Sequence, residues 1–160
     1  MLNSQTAESI VDHALSLGAD FAEIFIEKNE TNVISTLSND VQSVESGINF
    51  GIGLRLIYGT KVLYGYTNKT DRDELLRIAS VLAAKDLRDP VNTIKSFNFN
   101  QMTDIHPARK ILSVDAEIES KVAYLMSADR AARAAGKQIS RTRGSCMQRE
   151  QYVEIYNSDG

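Results

Sequence analysis

A chain with one cysteine cannot close an internal disulfide, and Cys146 is the only one among 160 residues. Folding therefore rests on a hydrophobic core, which a chain of this length can bury, and a reducing compartment, the cytoplasm, is the expected location. Histidine is nearly as scarce. His13 and His106 stand too far apart in sequence to form a local two-histidine zinc motif of the HExxH kind. No run approaches the roughly 20 apolar residues of a membrane span, and Glu8, Asp12 and His13 interrupt the stretch where a secretory signal needs unbroken apolar residues. No membrane partner is expected. A Gly-Lys-Ser/Thr phosphate loop is also missing. The glycines Gly47, Gly51 and Gly53 make no dinucleotide fingerprint, because Leu56 stands where the last glycine belongs and a strand follows. A net charge of −3 with 42% hydrophobic and 24% charged residues selects neither a polyanion binder nor an acidic tail.

What remains is a strong periodic pattern. Ile10, Val11, Ala14, Leu15 and Leu17 recur at helical spacing behind the capping candidates Ser4 and Thr6, and Gly18 is placed to end the helix. Residues 20–30 alternate, with Ala22, Ile24 and Ile26 on one side and Phe21, Glu23, Phe25 and Glu27 on a half-buried other side. Short strands are expected at 33–37 and 41–44 around a Ser38-Asn39-Asp40 turn. A clearer hairpin follows: Ile52, Leu54, Leu56 and Tyr58 share a face, Gly59-Thr60 reverses the chain, and Val62, Tyr64 and Tyr66 continue it. Thr70, with Asp73 three residues on, predicts the start of a second helix whose buried stripe is Leu75, Ile78, Ala79 and Leu82. Both prolines, Pro90 and Pro107, fall in a stretch without periodicity. A third helix is predicted over 113–135 from Val114, Ile118, Val122, Leu125, Ala128 and Ala132, ended by Gly136. Two strands, 137–142 and 147–156, should then close a hairpin around Arg143-Gly144-Ser145.

These elements predict an α+β fold: an antiparallel sheet with amphipathic helices packed on one face, followed by a connector helix and hairpin. The boundaries are 1–86 for an N-terminal domain, 87–112 for an irregular linker, and 113–160 for the connector and the start of a further domain. The terminal Asn157-Ser158-Asp159-Gly160 is a turn signal with no strand after it, as expected of a fragment.

The chemistry-bearing residues are few. Catalytic and metal-ligating residues are expected to be none in this chain: His13 borders a helical stripe, His106 precedes a proline, and Cys146 has no histidine near it. The glycines suit a bulge or a close backbone approach at a sheet edge. Gly51, Gly53 and Arg55 are accordingly the candidate peptide-binding positions, on a strand whose edge would take an extended peptide through main-chain hydrogen bonds. Arg130, Arg133, Lys137, Arg141, Arg143 and Arg149 form a basic cluster with no acid between Asp129 and Arg149. It lacks interleaved aromatics, which disfavours a nucleic-acid partner.

The order of several segments resembles the N-terminal domain of the TldD/PmbA family, also described as modulators of DNA gyrase. The segments are Gly18-Ala19-Asp20-Phe21-Ala22-Glu23, Gly51-Ile52-Gly53-Leu54-Arg55, Gly65-Tyr66, the helix through Lys121 to Arg133, and Tyr152-Val153-Glu154-Ile155-Tyr156-Asn157-Ser158-Asp159-Gly160. The resemblance implies a zinc metalloprotease subunit acting on peptides, paired as a homo- or heterodimer with a family subunit. In that family the C-terminal domain supplies an HExxxH helix, where the metal polarises the scissile carbonyl and a glutamate acts as base. No such motif lies here, so zinc is implied for the full-length protein alone. Members without the metal residues act as partner subunits, which leaves a non-catalytic partner or peptide-binding assembly module as the alternative, and behind it a modulator of DNA gyrase that binds protein or nucleic acid.

Overall fold

The computed structural model describes residues 2–86, 105 and 116–160. The linker expected over 87–112 lies outside the described residues except for Ile105, as do His106 and the first turn predicted for the third helix. The order is α1 (Ser4–Ser16), β1 (Phe21–Leu37), β2 (Asp40–Tyr58), β3 (Lys61–Thr67), α2 (Arg72–Ala83), α3 (Ile118–Ala134) and β4 (Arg143–Asn157). The strands form one four-stranded sheet in the order β3-β2-β1-β4. The α+β class holds.

The described residues divide into two compact units, 2–28 with 50–86 and 152–160, and 29–49 with 105 and 116–151. In the first, α1 begins at Asn3, whose side-chain oxygen accepts from the Thr6 N–H at 2.7 Å; Ser4 and Thr6, the expected caps, lie inside the helix. Its end follows expectation. Gly18 adopts φ 93°, Gly18 N–H donates to Leu15 O at 2.9 Å and Ala19 N–H to Ala14 O at 3.3 Å, the paired bonds of a Schellman ending. Ala7, Ile10, Val11, Ala14 and Leu15 are buried from α1, and Leu75, Ile78, Ala79 and Leu82 from α2. They meet Ala22, Ile24 and Ile26 of β1 and Ile52, Leu54 and Leu56 of β2 in a single apolar core.

The β2–β3 hairpin pairs Tyr58 with Lys61 and Leu54 with Gly65 in unbroken antiparallel register, and Gly59 takes φ 60° at the turn. Val62, Tyr64 and Tyr66 do not continue the buried face, however. They pair with Ile57, Arg55 and Gly53, so they stand on the opposite, exposed face, while Gly65 lies beneath α2. A Cβ on Gly65 would stand 2.7 Å from Ile78 Cγ2, so the missing side chain sets how closely α2 seats on β3. The cap of α2 is Asp71, which accepts from Glu74 N–H at 3.0 Å, one residue later than the expected Thr70.

Strands predicted as separate pieces are continuous. β1 runs through Asn29-Glu30-Thr31-Asn32 and β2 through Ser46-Gly47-Ile48 without interruption. In the second unit their turn needs only Ser38 (φ 48°) and Asn39 (φ 66°), the left-handed pair of a two-residue hairpin, and Asp40 already begins β2. Residues 137–142 are not a strand, and the expected hairpin partner is replaced by neighbouring β1. Arg143-Gly144-Ser145, expected as a turn, opens β4. Helix α3 buries only Leu125 and Asp129; Ala128 and Ala132 of the predicted stripe are exposed.

Candidate functional site

The face of the first unit's sheet away from the helices is a mixed apolar and charged surface. Tyr66 is 82% exposed, Tyr64 60% and Val62 58%, with Val153 and Ile155 of β4 also exposed. On β2, Arg55 Nη2 lies 2.9 Å from Glu23 Oε1 of β1, and its guanidinium sits 5.7 Å from the centre of the Phe21 ring. The ion pair is open to water and contributes little stability by itself. It does keep the arginine beside Glu23 and Phe21.

Gly51 and Gly53 sit on this same face by strand alternation. Beside Gly51 nothing lies within 4 Å of a built Cβ, whereas at Gly53 that Cβ would fall 2.1 Å from Tyr64 Oη and 2.8 Å from its Cζ. The Tyr64 ring therefore lies across the bare backbone of Gly53, the diagonal arrangement by which an aromatic covers a strand glycine. Close approach was the right reading of this glycine; a sheet edge was not. β2 is an inner strand between β3 and β1, and residues 52–58 already pair with β3. Among the described residues the edges are β3 and β4.

A groove between α1 and α2 is lined by Ser9, Asp12, His13, Leu15, Ser16, Arg72 and Leu76. His13 Nε2 lies 2.9 Å from Ser80 Oγ, which donates its own hydrogen to Leu76 O at 3.0 Å. The contact joins α1 to α2 through one polar pair. Arg72 Nε donates to Ser9 Oγ at 3.0 Å and ties the same two helices. On the outer side of α2, two Arg77 hydrogen bonds of 2.8 and 2.9 Å hold the Glu74 carboxyl below its ordinary range, and the pairing raises Arg77. Burial first, and the charge of Glu154 second, push the Tyr156 phenol up. Its hydroxyl donates to Leu2 O at 3.3 Å.

In the second unit the buried polar groups are Thr36, Asp129 and Glu150. Thr142 Oγ1 donates to Asp129 Oδ1. Asp129 Oδ2 and Thr36 Oγ1 are buried without a hydrogen-bond partner among the described residues. No periodicity marks Asp129 as buried, since an acid on a helix is expected in water. The basic cluster is exposed at all six positions, and Arg149 Nε donates to Asn29 Oδ1 at 2.9 Å. Cys146 is a free, half-buried thiol in β4. Among the described residues no three His, Cys, Asp or Glu side chains are grouped to hold a metal ion, so these residues do not fit a zinc centre. No described helix is long and apolar enough to cross a membrane.

The described residues form an antiparallel sheet covered by helices, with no cluster of metal ligands among them. Residues 22–86 match the family described as PmbA/TldA metallopeptidase domain 1, which identifies this segment as an N-terminal domain of the TldD/PmbA type. No curated protein matches the sequence. Among solved structures, a candidate modulator of DNA gyrase from Bacteroides thetaiotaomicron is similar over 99% of this chain and 37% of its own, with TM-score 0.71 and 15% identity. TldE from Thermococcus kodakarensis is similar over 97% of this chain and 35% of its own, with TM-score 0.61 and 17% identity. A candidate modulator of a DNA gyrase from Thermotoga maritima has TM-score 0.66 and 10% identity, over 98% and 35%. At these identities the likeness is one of fold. The chain spans little more than a third of the structures it matches.

Proposed function

We propose that this chain is the N-terminal part of a cytoplasmic zinc metallopeptidase subunit that acts on peptides, paired with a second family subunit, with the metal carried outside the residues described. The supporting observation is the metallopeptidase-domain match over 22–86, joined to a fold shared across nearly the whole chain with TldE. What the described residues offer is an antiparallel sheet whose exposed face bears Tyr64, Tyr66 and Arg55, a surface that suits holding a polypeptide. The test is the full-length gene product, assayed for bound zinc and for cleavage of an unstructured peptide before and after chelation. Stoichiometric zinc with chelator-sensitive cleavage is the expected result. A metal-free product that cleaves nothing alone, but restores cleavage when mixed with a metal-bearing family subunit, makes this the non-catalytic partner. Absence of cleavage in every combination overturns the peptidase reading.

A second reading, modulation of DNA gyrase, takes support from the names of two similar structures and from the exposed cations Arg130, Arg133, Lys137, Arg141 and Arg143. Binding to DNA with a steep salt dependence would favour it, and no retention at low salt would remove it.

A further inference from the structure

Charge is spread unevenly along the chain. Residues 130–149 hold six of its 18 cations and none of its 21 acids, in a protein of net charge −3. The fold gathers five of these cations at one end of the second unit. Arg130 and Arg133 stand three residues apart near the end of α3, and Lys137 follows where the helix has ended. The chain then turns back. Thr142 Oγ1 donates to Asp129 Oδ1, and Thr142 O accepts from Ser38 N–H at 2.9 Å, so Arg141 and Arg143, on either side of Thr142, return beside the helix they left. Gly144 keeps that return tight: a Cβ there would fall 2.6 Å from Thr36 Oγ1 and 3.3 Å from Leu125 Cδ2.

No acid of this unit neutralises the group. Asp129, the neighbour of Arg130, is buried and accepts from Thr142. Glu150 is buried as well, and Asp40 accepts a hydrogen bond from Gln42 at 3.1 Å. All five cations are exposed, and none makes an ion pair among the described residues. Like charges three residues apart on a helix repel. The negative end of α3 offsets this for Arg133 alone, and an anion from outside relieves the rest.

The residue types select the kind of anion. Four of the five are arginines, whose planar guanidinium takes a carboxylate or a phosphate through two parallel hydrogen bonds. A single-stranded nucleic acid also wants aromatic platforms for its bases, and no Phe, Tyr or Trp occurs from 125 to 151. Its phosphates run on past so short a patch, along a chain that is acidic as a whole. A short run of carboxylates ends where the cations end.

We propose that this face, from the end of α3 to the start of β4, docks an acidic segment of another protein, its carboxylates held by Arg130, Arg133, Lys137, Arg141 and Arg143. The docking goes beyond the peptidase reading and needs neither zinc nor cleavage, so either can fail alone.

The test is the fluorescence anisotropy of fluorescein-Gly-Glu-Asp-Glu-Glu-Asp-Glu-Gly-amide titrated with the 160-residue chain at about 50 and 200 mM salt. Expected are one-to-one saturation and an affinity at least about tenfold weaker at the higher salt, where screening shortens the reach of each charge. Lys137→Glu combined with Arg141→Glu changes two exposed positions outside helix and strand, so the fold tolerates it. It should weaken the peptide at least about tenfold at low salt, because each change replaces an attraction by a repulsion. Lys69→Glu, at an exposed cation of the first unit, should leave the affinity unchanged. Absence of saturation at low salt, or a double reversal that alters nothing, overturns the docking face. Tighter binding of a single-stranded oligothymidylate of equal charge overturns the choice of an acidic protein in favour of nucleic acid. A dimer of the chain that salt dissociates and the double reversal abolishes makes a second copy the occupant, and overturns it too.

Discussion

The two units are built on opposite principles. The first buries a continuous set of apolar side chains from two helices and two strands, from Leu2 through Leu82, with Leu63 and Tyr156 packed against it. The second buries Ile34 and Leu125 together with Thr36, Asp129 and Glu150, and much of its organisation is hydrogen bonding between polar side chains: Ser35 to Ser43 at 2.7 Å, Ser46 to Asn32 at 2.6 Å, Thr142 to Asp129. Apolar burial is non-directional and tolerates local change if volume is kept. A buried polar group is costly unless its partner remains in place. One unit should therefore respond to lost volume, the other to lost partners.

The largest effect belongs to the apolar core. Leu54→Ala, at a side chain 1% exposed, should cost about 4 kcal/mol in urea unfolding, whereas Leu125→Ala, 8% exposed and the sole buried apolar residue of α3, should cost about 2 kcal/mol. Equal losses would break the contrast. Next, Thr142→Val keeps volume but removes the donor to Asp129, and should cost about 1.5 kcal/mol, with Thr142→Ser recovering most of it. If the valine variant is as stable as the parent, the polar unit does not depend on that partner.

The smallest effect concerns Tyr156 at the rim of the first core. Its phenol is raised above the ordinary 10.0, so the folded chain keeps that proton when the unfolded chain has begun to lose it. The stability it contributes is present below pH 10 and is lost as pH rises through the raised value. Tyr156→Phe should cost about 1 kcal/mol at neutral pH through the bond to Leu2 O, and should flatten the fall in stability on the alkaline side of pH 10. An unchanged alkaline slope would show that the titration belongs elsewhere.

The same division explains what could be read from sequence. Helix α1, the 52–58 strand and the stripe of α2 were legible because each has one apolar face, and burial repeats at 3.6 or 2 residues. Around Asn29-Glu30-Thr31 and Glu45-Ser46-Gly47 both faces of the strand are partly wet, so polar residues that look like loops are strand. Ala128 and Ala132 keep helical spacing yet are exposed, because alanine reports helix propensity as readily as burial. The candidate site was half legible. Gly53 does mark a close approach, but whether its strand is at an edge depends on β4 joining β1, a long-range choice no local pattern carries.

That long-range choice has a consequence for synthesis. Ser158 N–H donates to Ala22 O, and Ser158 Oγ accepts from Ala22 N–H across 136 residues, so β4 reaches β1 only after almost everything between has left the ribosome. The first three strands, joined by two-residue turns at Ser38-Asn39 and Gly59-Thr60, can zip together early. Until β4 arrives, the 17 residues of β1 form the nascent sheet's margin, so the slowest contact to form is also the one that shields the newborn chain from its neighbours.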